Sequence, residues 1–568
     1  MRPSTEPRDR GPIGRSASLA ALALCVVGST ASWSFAGSEL TNGVAVSGPV
    51  SPQHSIRLSE LPLASSIAKP PEKGEDRENP LEDEPDQGHR GTWDRAEIPF
   101  DPLAASSLNA AGVTPPATRQ WDGTGNPVGC DGCTPPDIVG DVGAHHYVQI
   151  VNATKVTIYD KQGTLLFGPA DLDTFWSSGH CAAGNPGDPI VVYDRLADRW
   201  LLAQFASPHD ICIAISASGD PLASYFIYDF SMPAGGFPDY YKIGVWPDGY
   251  YLSANQHNYS AMAVDRSRML IGASASLLRF ARTSDDQSTV PNLMLPAHVG
   301  GLTPPPPGSP GYFFTFLDDA FHGVPADRVR VYALHADFHT PANSTFTIAR
   351  DIDVAPFTYT VCGFFNLDCV PQAETGQKVD AISEWPMFRL DYRNYGDHEA
   401  LAGNFTVPNG GVSAPRWFEL RRVGAGKWTL FQEGTYAPDA TSRWMSSIAS
   451  DHQGDLALGF SESSSAIHPR IRYATRLASD PPGTLRPEAV LIDGGGSQTG
   501  SNRWGDYSTM SVDPANDCDF YYTSEYYSAD ATNAWRTRIG TFTIPECNVI
   551  FLDGFEVGTT NRWTGAAP

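Results

Sequence analysis

Three arginines stand at or near the starts of apolar, strand-like runs. Arg389 lies in Met387-Phe388-Arg389-Leu390-Asp391, and Arg443 and Arg503 are each followed by tryptophan. The planar guanidinium fork suits a carboxylate or a sulfate, so three converging arginines would hold an acidic ligand. Beside them in sequence stand Asp391, Asp506, Tyr507 and Glu525. Two carboxyl groups flanking a bound sugar act as acid and base in glycoside hydrolysis. The same residues have a structural reading. Arg-Trp at a strand start also makes a cation–π contact and an Arg–Asp bridge that locks one repeat to the next.

Histidines offer less. His398, in Gly396-Asp397-His398-Glu399, reads as a general base or ligand, or else as a hydrogen-bonded turn residue. His335 and His339 are four apart, about 13 Å on a strand, so they share a metal only if the strand ends between them. His145 and His146 point to opposite faces of a strand. No Gly-x-Ser-x-Gly elbow, P-loop, His-Glu-x-x-His or dinucleotide fingerprint occurs. No metal ligand set is assigned and no cofactor is expected. Calcium is a second reading of the many aspartates, although neither an EF-hand loop nor a nonapeptide array is present.

These residues must be positioned by a phrase that recurs about seven times between roughly residues 136 and 525. It runs from an acidic or polar opening through an apolar run and a tight turn to a second apolar run. Gly187-Asp188-Pro189-Ile190-Val191-Val192-Tyr193-Asp194 leading to Arg199-Trp200-Leu201-Leu202 is one copy. Arg503-Trp504-Gly505-Asp506-Tyr507 leading through Val512-Asp513-Pro514 to Phe520-Tyr521-Tyr522 is another. Most copies start about 50–60 residues apart, the length of a four-stranded blade with its loops. The fold class expected is therefore all-β, a β-propeller of about seven four-stranded blades over residues 119–547. A β-sandwich would not repeat its motif this often, and a β-helix would have shorter coils.

Composition agrees. Of 568 residues, 11% are aromatic and only 18% charged, with 53 Gly and 47 Pro, which favours short strands and turns over long helices. Residues 1–36 read as a signal peptide, with Arg2, Arg8, Arg10 and Arg15 before the apolar Leu19 to Val27 and small residues near Ala36. Export to the cell surface or medium is expected, without membrane insertion. Residues 37–118 read as a disordered acidic, proline-rich linker or pro-segment, and residues 548–568 as a short carboxy-terminal motif. Nine cysteines become eight without Cys25, and spacing suggests Cys130–Cys133, Cys181–Cys212, Cys362–Cys369 and Cys518–Cys547. A net charge of −25 argues against nucleic acid as a partner.

Three stretches resemble known proteins. Asp391-Tyr392-Arg393-Asn394-Tyr395-Gly396-Asp397-His398-Glu399, Gly434-Thr435-Tyr436-Ala437-Pro438-Asp439 and Arg503 through Pro514 together resemble a family of exported bacterial propeller-like proteins without an assigned activity. That resemblance implies the fold and export but transfers no catalytic residue. The tail from Phe551 to Trp563 resembles a carboxy-terminal motif of exported proteins from Lysobacter-like bacteria, which implies a sorting role. A looser similarity is to the sialidase superfamily, whose six-bladed enzymes hold a substrate carboxylate with three arginines. The Ser-x-Asp-x-Gly-x-Thr-Trp box of those enzymes is absent here.

Two functions follow as expectations. One is binding or cleavage of an acidic glycan at the channel mouth by Arg389, Arg443 and Arg503, with His398 nearby. The other is a non-catalytic, protein-recognising scaffold. They differ in geometry: an open pocket of arginines with an unpaired carboxylate favours the first, and arginines buried against their own aspartates favour the second.

Overall fold

The computed structural model describes residues 44–64, 100–104, 111–130, 132–184, 187–232, 237–255, 261–281, 293–361, 368–545 and 547. The expected signal peptide, the acidic runs near residues 70–86, Cys362 and the carboxy-terminal motif lie outside them. The described residues are almost wholly strands and turns within one compact unit, 39–568.

Among the described residues, seven antiparallel meanders succeed one another. Meander 1 is β4 (Val139–Val142), β5 (His146–Val151), β6 (Lys155–Asp160) and β7 (Leu165–Asp171). Meander 2 is β8 (Ile190–Asp194), β9 (Arg199–Ala206), β10 (Asp210–Ser216) and β11 (Ser224–Ser231). Meander 3 is β12 (Asp239–Val245), β13 (Tyr250–Asn255), β14 (Ala261–Val264) and β15 (Ala275–Phe280). Meander 4 is β16 (Leu295–Val299), β17 (Gly311–Leu317), β18 (Arg328–His335) and β19 (Thr345–Asp353). Meander 5 is β20 (Met387–Asn394), β21 (Glu399–Asn409), β22 (Val412–Arg422) and β23 (Thr429–Thr435). Meander 6 is β24 (Ser442–Ser450), β25 (Leu456–Ser464), β26 (Ile467–Arg476) and β27 (Ala489–Ile492). Meander 7 is β28 (Thr509–Val512), β29 (Asp519–Tyr526) and β30 (Arg536–Thr543), completed by β3 (Arg119–Asp122) from the start of the repeat region.

The first strand of each meander touches the first strand of the next, and β28 touches β4, so the circuit closes. Between meanders 4 and 5 this contact is itself hydrogen-bonded, with β16 parallel to β20. Nested antiparallel meanders with a closed ring of first strands are a β-propeller. The first strands are buried along nearly their whole length because neighbours cover both faces. All five residues of β8 are buried. Trp200, Trp444, Trp504 and Trp535 fill the spaces between meanders.

Turn chemistry repeats with the strands. After β8, β24 and β28 an aspartate carboxylate accepts from backbone N–H groups two to four residues on: Asp194 from Leu196 and Ala197, Asp451 from Gln453 and Asp455, and Asp513 from Ala515. Each turn ends on a left-handed residue, Asp198, Gly454 or Asp517. Asp, Asn and Gly tolerate that conformation best.

The amino-terminal segment departs from the expectation of a linker with nothing to bury. β1 (Val44–Val50) adds a fifth strand to meander 3 beside β15, and β2 (Gln53–Arg57) adds one to meander 2 beside β11. Leu58 and Leu61 are buried, and Leu63 bridges Ala170 on β7. Asp101 is buried against Arg416 and Thr435 in meander 5, and Thr114 bonds Thr475 in meander 6. These short pieces pair with open sheet edges through their backbones, which averaged composition does not show. Disulfides join Cys130–Cys133, Cys181–Cys212 and Cys518–Cys547, bonds that persist in oxidising compartments. Among the described residues no helix is long and apolar enough to cross a membrane.

Ring closure also has a polar centre. The buried Gln149 of β5 accepts from the Thr124 backbone N–H and donates to Thr523 and Thr537 of meander 7. Replacing it with leucine leaves a buried N–H without an acceptor, a loss of about 2 kcal/mol. The expected result for Gln149→Leu is a lower urea midpoint with an unchanged slope.

Candidate functional site: the axial core

The residues with chemistry on the first strands lie in two layers around the axis. The outer layer forms where the strands begin. Asp137, Asp188 and Asp506 hold left-handed backbone conformations at these starts, as do Tyr240, Ile382 and Met445. Asp188 lies close to Asp137 and Asp506 in this buried layer. Burial raises the Asp188 pKa, Lys242 opposes the rise and Asp506 adds to it. Lys242 of β12 is buried, donates to the carbonyls of Tyr240 and Tyr241, and lies 3.4 Å from the Tyr240 ring centre and 4.2 Å from that of Tyr507. Burial lowers its pKa to about 8, against the pull of Asp188, Asp506, Asp137 and Asp239.

This layer is roofed. Trp385 packs on Tyr240 with ring centres 4.5 Å apart, and Val379, Ala381 and Ile382 are buried beside it. They belong to the segment between β19 and β20, which Gln372 and Gln498 lash down by reciprocal hydrogen bonds.

The inner layer lies further along the same strands. Asp141 of β4 accepts from Arg389 of β20 at 3.1 Å and from the Tyr193 backbone N–H of meander 2. Arg393 donates to both oxygens of Asp517, and Arg195 donates to the Val512 carbonyl. His298 of β16 stands opposite Asp391 in the parallel pair. Burial, then Arg389 and Arg195, hold the His298 pKa well below the usual imidazole range, so it is neutral.

Arg503 is buried against Asp506, at 2.8 Å, and Arg389 against Asp141. Arg443 is buried among Asp439, Glu462 and Glu488, with the Tyr436 and Phe460 rings beside it. No carboxylate is common to these ion pairs of the three arginines. Asp391 accepts from the Ser450 N–H and hydroxyl, and the Tyr507 hydroxyl donates to the Pro189 carbonyl. Glu525 accepts from the Gly505 N–H, and burial, with Asp506 adding to it, raises its pKa well above the ordinary value. His398 sits in the β20–β21 turn, 2.7 Å from Asp397 and stacked on Tyr395. Lys242, Asp137, Asp188, Asp141, Arg195, His298 and Asp517 were not anticipated. Asp137 and Asp188 did carry a signal, since each precedes an Ile-Val or Pro-Ile-Val opening of its repeat.

Two groups of metal-type side chains occur among the described residues. In one, His452 lies beside Cys518 and Cys547, whose sulfurs are joined to each other. In the other, Asp318 and Asp327 already accept backbone N–H groups near Asp319. β18 ends at His335, so His335 and His339 are not on one strand, and neither belongs to such a group.

No protein-family model and no curated protein matches the chain. Solved structures of similar strand arrangement include a protein of unknown function from Dyadobacter fermentans (TM-score 0.34, 10% identity, 76% of this chain and 100% of that one). An endo-arabinase from Bacteroides thetaiotaomicron gives a TM-score of 0.25 and 13% identity over 50% of this chain and 92% of that one. The WD40 domain of SCAP from fission yeast gives 0.31 and 9% over 70% and 79%.

Asp451, at the end of β24, provides a pH test of this packing. Burial, with Asp455 beside it, raises its pKa to about 8. The folded state therefore keeps a proton that the unfolded state has lost between about pH 4 and 8, and its stability contribution falls as pH climbs through that window. Asp451→Asn, which mimics the protonated form, is expected to be more stable than the parent by about 5 kcal/mol at pH 8 and nearly equal to it at pH 4. Urea unfolding at the two pH values checks this.

Proposed function

We propose that the chain is an exported, non-catalytic β-propeller whose charged axis is structural and whose loops recognise a partner outside the cell. The observation that carries this is the fate of Arg389, Arg443 and Arg503. Each is buried and engaged by its own carboxylates, and together they form no open anion pocket. Guanidinium groups held this way brace the fold, and removing one strands its buried acidic partners. Loops on a rigid scaffold are then where specificity resides. The disulfides fit an extracellular setting.

A second reading, cleavage or binding of a glycan, is favoured by one feature. Asp137 and Asp188 lie together beside Lys242, and two carboxyl groups in different environments can supply an acid and a base. This reading requires the Trp385 roof to move aside.

A glycan array and a polysaccharide-hydrolysis screen separate the two, using the mature chain, Arg443→Met and Asp188→Asn. The scaffold reading expects no hydrolysis and no arginine-dependent binding of uronate or sialate glycans. It also expects Arg443→Met to lose about 3 kcal/mol of stability. Hydrolysis that disappears in folded Asp188→Asn, or acidic-glycan binding that disappears in folded Arg443→Met, would overturn it.

A further inference from the structure

The inner layer holds more hydrogen-bond donors than the protein can satisfy. On β20, Arg389, Asp391 and Arg393 alternate onto one face, and the parallel register sets His298 of β16 opposite Asp391 on that face. The residues between them, Ala297, Val299, Leu390 and Tyr392, enter the apolar core between meanders, which leaves the charged face toward the axis. Arg195, at the end of β8, joins them, and its charge is felt at His298 together with that of Arg389. All four basic side chains are more than nine-tenths buried.

Each arginine uses only part of its fork. Arg389 donates from Nη2 to Asp141, while its Nε has no partner among the protein atoms. Arg393 donates from Nη1 to Asp517, and its Nε and Nη2 have none, the Nε being 3.8 Å from Asp391. Arg195 donates from Nη2 to Val512, and its Nε and Nη1 have none, the Nη1 being 3.7 Å from Asp517. Neither ring nitrogen of His298 has a partner. Five arginine nitrogens can only donate, and the neutral imidazole offers a single acceptor.

Buried donors of this kind are satisfied in native proteins. A water molecule accepts hydrogen bonds but brings two hydrogens that need acceptors of their own. An anion only accepts. We propose that Arg195, His298, Arg389 and Arg393 form an internal binding site for a small monovalent anion such as chloride. The three guanidinium groups are already balanced by Asp141, Asp391 and Asp517, so one added charge is tolerated better than two. The site rests on the buried, unpartnered donors of these side chains and stands independently of whether the loops recognise a protein or a glycan.

The test uses the intact wild-type protein with bromide as the probe. Crystals grown in sodium bromide are measured at the bromine absorption edge, and melting is followed in sodium chloride and in sodium gluconate at equal ionic strength. The proposal expects an anomalous peak in contact with His298 and Arg389, and a melting temperature several degrees higher in chloride. Arg195→Met, which keeps the Arg389–Asp141 and Arg393–Asp517 bonds, is expected to reduce the chloride effect. No anomalous peak in the inner layer would overturn the proposal. So would a peak without any difference between chloride and gluconate, which would mean binding at crystal concentration only.

Discussion

The hydrogen bond from Arg389 to Asp141 crosses the axis of the ring. It joins meander 5 to meander 1, which are not neighbours, while the same carboxylate oxygen holds the first strand of meander 2 through the Tyr193 N–H. Asp517 repeats the device, taking two bonds from Arg393 of meander 5 and lying 3.7 Å from Arg195 of meander 2. Ions this deeply buried are costly to desolvate, and only close partners offset that cost. The bore is therefore filled by side chains that need one another, and the first strands are held in place by charges as well as by apolar packing.

The rim is held differently. The chain before the repeats supplies edge strands to meanders 3, 2 and 7 and touches meanders 1, 5 and 6 on the way. The added strands β1, β2 and β3 cover sheet edges that would otherwise stand open. The ring is thus braced at its axis by ion pairs and at its circumference by its own amino-terminal segment. A body fixed at both radii leaves its loops as the parts free to differ.

Much of this architecture was legible in the residues. The Asp-opened apolar runs, the Asp-containing turns and the spacing of the cysteine pairs are local features, and local features show in a sequence. The axial contacts are not local. Arg389 and Asp141 are 248 residues apart, so no spacing rule connects them. Arg503 and Asp506, three apart, could be paired from sequence, whereas the three acidic partners of Arg443 could not be foreseen together. Lys242 was invisible because a lysine within a strand-like run is ordinarily solvent-facing, and only ring closure places it beneath Trp385. The β1 and β2 strands were hidden because they are short and lie next to long acidic, proline-rich runs.

Charged residues on the axis hold the ring together. A double-mutant cycle on the cross-axis pair, with Arg389→Met, Asp141→Asn and the double variant compared by urea unfolding, tests it most directly. The account predicts a coupling energy of at least about 1.5 kcal/mol, with the double variant less damaged than the sum of the single ones. Additive losses would contradict it and would show that the axial residues fold without depending on one another.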